Sequence, residues 1–478
     1  MKYTIEPKNF GKFDTVVCGG GTAGCFAAIA AARGGAKTLL IERSFKLGGM
    51  LTVGNAGITK FTEHCRDVDV YKSEVLDVLA TEPKKVQVVR GIPHEFIERL
   101  LGRGGGVGTH GVAGSYIFSE KAAAELTLIE MLDEAGVEVL YDTRVCLTNK
   151  TGGVLNSVVV CNKDGFSEIY ASYFIDCTAD ADVAAGCGAP FNLGATEYDV
   201  AHGGAKAVGE MQHMGAMHRV RGVNFERLFE YLDEHPERFV QHEFGVMSLE
   251  NVKASYRAGE MCVFRVLADV PGVSVLRPVQ FYNLPKKDEA IILGHHASVT
   301  GADGTNARSL SAAQKTLQLN TKKMLEYLKV IPGLENLEFV YIPDVGVRET
   351  RHIVGEYTLN EIDVVSSKKF EDSIACGGHP IDIHPLPPEI EHMDMNHWRF
   401  YIPYRVMLPI GIDNLLVAGR SVSATRMASG AIRPTAQCMA MGEAAGTAAA
   451  ILCKAGGAAR DIDIKLLHEK LKDSGAIF

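Results

Sequence analysis

The sequence predicts an α/β chain with a second, α+β region set into its middle. Three observations carry this. A strand, a glycine-rich turn, a helix and a second strand follow one another between residues 14 and 42. The same texture, rich in Ala and Gly with short apolar runs, returns at residues 414–454. Between them, from about 195 to 400, the chain is richer in His, Met and charge, as a separately packed region would be. With 478 residues the chain exceeds one ordinary core, so two domains are expected, one inserted into the other.

Taken in order, residues 14–18 (DTVVC) read as a short buried strand. Residues 22–33, nearly all Ala, Ile and Phe, read as a helix that Gly34-Gly35 ends. Residues 37–42 (KTLLIE) form the next strand, which completes a unit the size of a βαβ. The stretch 44–115 is irregular and carries Gly104-Gly105-Gly106, which suggests loops near a ligand. A helix is expected from Ser119, as its N-cap, to about Ala135, with Gly136 past its end. Residues 137–148 read as one strand, and 154–161 with 167–175 as a hairpin turning at Lys163-Asp164-Gly165. Helices are expected near 224–234 and 308–329, a strand at 414–418 and a helix at 434–454. No internal repeat or low-complexity tract interrupts this order.

Composition narrows the function classes. Apolar residues make up 46% and charged residues 22%, the balance of a globular protein. The formal charge of −9, with no long Lys/Arg run, argues against a nucleic-acid partner. The opening MKYTIEPKNFGKFD has no apolar signal core, and no run reaches the roughly 18 apolar residues of a membrane span. A soluble, cytoplasmic protein without membrane contact is the expectation. The 11 cysteines form no CxxC pair, which argues against a disulfide framework, zinc or an iron–sulfur cluster. No metal is expected.

The glycine run Gly19-Gly20-Gly21-Thr22-Ala23-Gly24 contains GxGxxG at Gly19, Gly21 and Gly24. The first glycine permits the tight turn, the second lets a pyrophosphate approach the backbone, and the third lets helix and strand pack closely. The N–H groups and dipole at the helix start, around Thr22 and Ala23, then face the phosphates. Glu42 ends the second strand 18 residues after Gly24, near the offset of an acid that holds a ribose hydroxyl. The pattern follows a strand and opens a helix, which is the context a dinucleotide site demands.

Arg43 follows, then Gly48-Gly49-Met50. A paired glycine just past the second strand resembles flavoproteins of the glutathione-reductase-like superfamily, in which this loop runs beside the pyrophosphate toward the flavin. The block NLLVAGRSVSATRMASGAIRPTAQCMAMGEAAGTAAAIL resembles their second FAD motif at Ala418-Gly419-Arg420. That motif often ends in Gly-Asp; here Arg420 replaces the acid, so no carboxylate contact carries over. Gly442, Ala445 and Gly446 permit close helix packing. The start of that helix, Pro434 to Gln437 with Ala436, would aim N–H groups at the flavin's pyrimidine carbonyl. Together with FIDCTADADVAAGCGAPF, VGVRETRHIVGEYTL, GGHPIDIHP and IPYRVMLP, these blocks are similar to FAD-dependent oxidoreductases related to fumarate reductase and succinate dehydrogenase flavoproteins. The resemblance implies a Rossmann-like FAD-binding domain from residues 1–195 and 400–478, with an inserted α+β substrate domain at 196–399. It also implies that Val145 meets the adenine and that Thr178, Ala179 and Asp182 line the dinucleotide, with Asp180 as the alternative to Asp182.

Flavin chemistry needs an acid or base for the partnering proton and cations for any carboxylate. Arg348, Arg351 and His352 are the leading candidates. If their segment is a strand, Arg348 and His352 share a face and Arg351 takes the other. An arginine there binds an anion bidentately, and a histidine exchanges protons near neutral pH. The bland alternative is a surface strand salt-bridged through Glu349 and Glu356. His384, Tyr404 and Arg405 are further candidates, and His110 a weaker one; His202, His213 and His218 lack metal-pair spacing and read as structural. The expected function is hydride transfer between FAD and a small polar substrate, with an external electron acceptor or donor. Both oxidation beside a hydroxyl or amine and reduction of an activated C=C bond fit. The rival readings are an NAD-dependent dehydrogenase and an RNA-modifying flavoprotein.

Overall fold

Strands that are apolar on both faces pair in parallel between covering helices, and this chain does so around its first glycine turn. The computed structural model describes residues 6–54, 58–59, 64–65, 88–108, 116–240, 248–259, 262–268, 278–284, 288–294, 297–383 and 397–478. β1 (Lys8–Cys18), α1 (Thr22–Arg33) and β2 (Thr38–Ile41) come first, then α2 (Ile92–Gly102), α3 (Lys121–Glu134) and β3 (Glu138–Leu140). β4 (Arg144–Thr151), β5 (Val154–Asn162) and β6 (Gly165–Asp176) follow. The middle supplies β7 (His218–Arg221), β8 (Phe239–Val240), β9 (Val263–Val266), β10 (Val279–Asn283), β11 (Glu289–Gly294), α4 (Ala307–Leu328) and β12 (Glu338–Tyr341). The end supplies β13 (Leu415–Val417) and α5 (Thr435–Ala455).

The first sheet is 7-stranded and runs β3-β2-β1-β6-β5-β4, with β13 also paired to β6. β1, β2, β3, β6 and β13 pair in parallel, and β5 pairs antiparallel with β6 and β4. The hairpin closes at Asn162–Gly165 as its Lys-Asp-Gly turn predicts. A separate 6-stranded antiparallel sheet, β8-β9-β10-β11-β7-β12, draws wholly on the middle of the chain. Its own core packs Phe225, Phe229 and Leu232 of the helix Phe225–Glu234, with Met324 and Leu328 of α4, onto Phe264 and Phe281.

Three expectations change. The strand expected over 137–148 is two strands, broken at Asp142, whose φ of 47° is left-handed. The Asp142 and Thr143 N–H groups turn to Ser44 O (3.2 Å) and Glu42 O (2.9 Å) instead of continuing a ladder. Ser119 ends a strand and does not cap α3. Glu120 holds the cap position without a side-chain cap bond, its carboxylate being turned to Arg219. Within the stretch read as irregular lies α2, with Pro in its first turn and six buried residues that pack it onto α1 and α3.

α5 lies directly along α1. A side chain at Gly442 would run into Ala23 O, one at Gly446 into Ala27 O, and one at Gly34 into Ala450 Cβ. The expected small-residue packing is therefore backbone-close. Beside this seam Glu443 is 1% exposed and accepts bonds from Ile92 N–H (3.2 Å), at the start of α2, and from Ser474 Oγ (2.6 Å). Burial pushes its carboxyl up from 4.5 to about 7, against these two bonds.

The folded carboxyl is thus protonated where the unfolded one has ionised. Stability is full below pH 4.5, declines as pH rises toward 7 and stays lower above it. Glu443→Gln keeps an acceptor for Ile92 N–H and removes the ionisation. Urea unfolding should find the variant more stable by on the order of 3 kcal/mol at pH 8 and little changed at pH 4; an equal gain at both would refute the assignment.

Candidate functional site

The turn leaving β1 is built from glycines that leave no room for side chains. Gly19 has φ 107°, a left-handed conformation, and its N–H donates to Ile41 O (2.7 Å). A Cβ there would strike Cys177 O, and one on Gly24 would strike Gly19 O. Gly21 differs: nothing lies within 4 Å of where its Cβ would be. α1 begins beneath that space without a side-chain cap, so its first N–H groups, on Thr22 and Ala23, are available to a ligand. The Gly48-Gly49 loop closes on the same turn. Gly48 N–H donates to Gly20 O (2.9 Å), Thr22 Oγ1 donates to Gly48 O (3.1 Å), and a Cβ on Gly49 would lie 3.1 Å from Gly21 Cα. Glu42 is nearly buried; it accepts Gly20 N–H (2.8 Å) with one oxygen and the N–H and hydroxyl of Ser44 with the other.

The facing wall follows β6. Asp176, fully buried, gathers the turn by accepting Thr178 N–H (3.0 Å), Thr178 Oγ1 (2.6 Å), Val183 N–H and Ala184 N–H (both 2.9 Å). Ala179 and Ala181 sit at φ 68° and 53°, strained for residues with a Cβ and held by the surrounding bonds. Asp180 accepts Arg420 Nη2 (2.6 Å) and Thr350 Oγ1 (2.7 Å). Burial alone would raise its carboxyl; Arg420, the Thr350 hydroxyl and Arg43 outweigh that and hold it below the ordinary range. Asp182 is more exposed and accepts Arg351 Nη1 (2.8 Å), which also donates to Asp180 O. Where a Gly-Asp motif would offer an acid, Gly419-Arg420 thus borrows one from the loop after β6, and Gly419 lies against Ala23. The open space at Gly21, the uncapped helix and the edge formed by Arg43, Arg351 and Arg420 fit the pyrophosphate of a dinucleotide.

Val145 is the second residue of β4, just past the Asp142–Thr143 turn that Glu42 and Ser44 hold. Ala436 and Gln437 are buried in the first turn of α5, whose cap position is Pro434. Met50 is exposed, with its methyl against Gly346.

On the substrate side the strand argument fails. Only Arg351–Ile353 is a strand, paired with Phe191–Leu193, so Arg348 does not share an alternating face with His352. Arg348 is half-buried and donates to His213 O (2.9 Å); no carboxylate among the described residues is within ion-pair distance. Burial, and then the nearby Arg433 cation, pull its guanidinium down to about 10, while Asp382 opposes. The surface-strand alternative also fails, since Glu349 is 2% exposed. One Glu349 oxygen accepts Gln212 N–H (2.7 Å) and lies 3.6 Å from Arg426 Nε; the other faces His352 Nε2 at 3.8 Å. His352 is buried, with Nδ1 3.4 Å from Val422 O.

Tyr404 and Arg405 are not brought to Arg348. Tyr404 is enclosed in the core with its hydroxyl on Ala459 O (2.9 Å), and Arg405 pairs with Asp372 (2.9 and 3.0 Å). His384 and His110 lie outside the described residues. His218 is a core residue beside Thr321, and His202 stacks on Tyr198. Among the described residues no cluster suits a metal, and no helix is long and apolar enough to cross a membrane. Sequence reasoning missed Asp176, Thr350 and Arg426. An acid ending a buried strand was a readable signal for the first; the other two act through partners far away in sequence.

The family model described as FAD dependent oxidoreductase matches residues 14–471. The family so identified is broader than fumarate reductase and its relatives. Similar solved structures include a geranylgeranyl bacteriochlorophyll reductase-like protein from Thermoplasma acidophilum, 11% identical over 96% of this chain and 82% of that one, TM-score 0.42. Another is p-nitrophenol 4-monooxygenase from Pseudomonas putida DLL-E4, 10% identical over 97% and 84%, TM-score 0.44. A third is the myxobacterial chondrochloren halogenase, 11% identical over 98% and 79%, TM-score 0.42. These likenesses are too distant to bear on chemistry. No curated protein matches the chain.

The glycines separate two effects. Gly21→Ala adds a methyl to space that the protein leaves open, so it should keep the thermal midpoint of flavin-free wild type and lose bound flavin. Gly24→Ala forces a backbone clash and should lose flavin and, compared flavin-free, also about 1–3 kcal/mol or more in stability. Flavin released on denaturation, measured beside thermal unfolding, decides; a yellow Gly21→Ala protein would refute the cradle.

Proposed function

Because this chain belongs to the FAD-dependent oxidoreductase family and uses FAD, we propose that it moves hydride between the flavin and a small polar substrate bearing an anionic group, which Arg348 holds. Residues 1–195 and 400–478 are taken as the FAD domain and 196–399 as the substrate domain; the all-middle second sheet supports that division. The N–H groups at Gly21, Thr22 and Ala23 hold the pyrophosphate, with Gly19 and Gly24 setting the turn. Glu42 takes the adenosine ribose, and Val145 lies toward the adenine. The edge of Arg43, Thr178, Ala179, Asp180, Arg420 and Arg351 guides the ribityl side. Gly48, Gly49, Met50, Gly419 and the start of α5 at Ala436 and Gln437 enclose the flavin ring. The bound flavin supplies the two-electron acceptor or donor.

One observation carries the substrate class. Arg348 is a half-buried cation with one backbone acceptor and no carboxylate partner among the described residues. A buried charge without a counter-ion is costly, and a bidentate anion relieves that cost while orienting what carries it. Arg348 therefore binds and orients, with Arg433 raising the local positive potential. Arg351 belongs to the cofactor edge in this reading, and His352, closed in by Val422 and Glu349, positions the turn that bears Arg420. The second half-reaction passes electrons to or from an external partner.

Anaerobic loss of flavin colour against a panel of small hydroxy acids, amino acids, sugars and amines tests this. Acid-bearing members are expected to bleach it, and neutral sugars to leave it yellow. Arg348→Ala should keep its flavin and lose about 100-fold in kcat/KM, close to 3 kcal/mol of transition-state stabilisation. Unchanged turnover in that variant would overturn the role of Arg348.

A further inference from the structure

Asp382, in the segment GGHPIDIHP, is a carboxylate held in place at the substrate end of the molecule. Its neighbours Ile381 and Ile383 are 3% and 2% exposed and belong to the main core. The side chain between them leaves that core and is 42% exposed. Its backbone is fixed as well. A Cβ on Gly430, in the helix Arg426–Ile432, would lie 3.0 Å from both Asp382 N and Asp382 O, so the segment lies backbone-close on that helix. Arg433 closes the helix and donates from Nη2 to Asp382 O (2.9 Å) and to Asp382 Oδ2 (3.0 Å). Arg433 also directly precedes Pro434, the cap position of α5. The carboxylate thus stands close to the helix start assigned above to the flavin. Arg348 lies within reach of both charges, Arg433 opposing its guanidinium and Asp382 favouring it.

The two isoleucines and the close contact at Gly430 fix this segment without any use of a carboxylate. What the carboxylate does change is the charge around Arg348. Arg348 and Arg433 bring two positive charges and Asp382 one negative, so the group carries one unit of positive charge and balances one anion, not two. An ionised carboxylate is also acceptor-only and takes several donors at once. A hydroxyl or ammonium brought beside it gains a charge-assisted hydrogen bond. A second carboxylate brought there meets a like charge, and like-charge juxtaposition is how a site rejects the wrong partner.

We propose that Asp382 determines specificity at the Arg348 site: it accepts a hydrogen bond from a hydroxyl or ammonium next to the substrate's carboxylate, and it repels a second carboxylate. The substrate is then a small monocarboxylic acid with a donor beside its acid group, and not a dicarboxylic acid. This rests on the anion-holding role of Arg348 proposed above. With the carboxylate on Arg348 and the donor on Asp382, the carbon between them has one orientation.

The rival role is a strap that merely holds Arg433. Four three-carbon acids separate the two: propionate has no donor, lactate a hydroxyl, alanine an ammonium and malonate a second carboxylate. Each is titrated anaerobically into holoenzyme while the flavin absorption band is followed. Wild type should bind lactate or alanine about 10-fold or more tighter than propionate, and malonate more weakly than propionate. The tighter of lactate and alanine tells a hydroxy acid from an amino acid. Asp382→Asn keeps the shape and removes the charge, so it should bind malonate about 10-fold tighter than wild type does and lose the advantage of the donor. An equal loss of affinity for all four acids in Asp382→Asn is what a strap gives, and it overturns the proposal. So does a wild type that binds malonate as tightly as lactate and alanine. If no acid perturbs the flavin, or if Arg348→Ala binds all four as wild type does, the Arg348 reading itself fails, and the specificity of Asp382 fails with it.

Discussion

The structure depends on the backbone-to-backbone contact between α1 and α5. Gly442 faces Ala23 O and Gly446 faces Ala27 O, so the two helices touch without side chains between them. Dispersion falls steeply with separation, and small residues give a long helix its closest approach. The consequence reaches past packing. Because α5 must lie there, the turn at Gly419-Arg420 meets Ala23, and the two ends of the chain close one cradle. Parallel pairing of β13 with β6 fixes the same geometry from the sheet side.

Within that frame the arginines and lysines divide by what satisfies them. Arg219, Arg420 and Arg426 each meet carboxylates and serve to join segments far apart in sequence. Arg420 is the informative case: it stands where the related motif has an acid, and the carboxylate beside it, Asp180, comes from across the cradle and is already paired with it. Arg348 and Lys121 differ: each is at least half-buried, and each lacks a carboxylate at bonding distance among the described residues. The cost of burying such groups falls on folding; for Lys121 the Tyr341 ring offsets part of it, and for Arg348 the substrate anion proposed above would.

Much of the first sheet was legible because its elements are set by local chemistry. The apolar run before Gly19, the Ala-rich helix ended by glycine and the Lys-Asp-Gly turn are decided by neighbours within a few residues. Where expectation failed, a distant group had intervened. The ladder breaks at Asp142 because Glu42 and Ser44 capture its amides. α3 starts one residue late because Ser119 stays in its strand, paired with Gly106, and Glu120 N–H still donates to Gly105 O. Strand alternation misjudged Arg348 since the strand begins only at Arg351, where Phe191–Leu193 is available to pair.

The sequence by itself determined the dinucleotide turn, since glycine spacing is a steric requirement that no partner can replace. It also determined the small-residue seam of α5 and the absence of an acid at Arg420. Only the tertiary structure decided which charges are paired, because a pair is made by distance in space and not by distance along the chain. On that ground Asp180 takes its place beside Arg420, Tyr404 and Arg405 go to packing and Asp372, and Lys121 comes to lie over the ring of Tyr341.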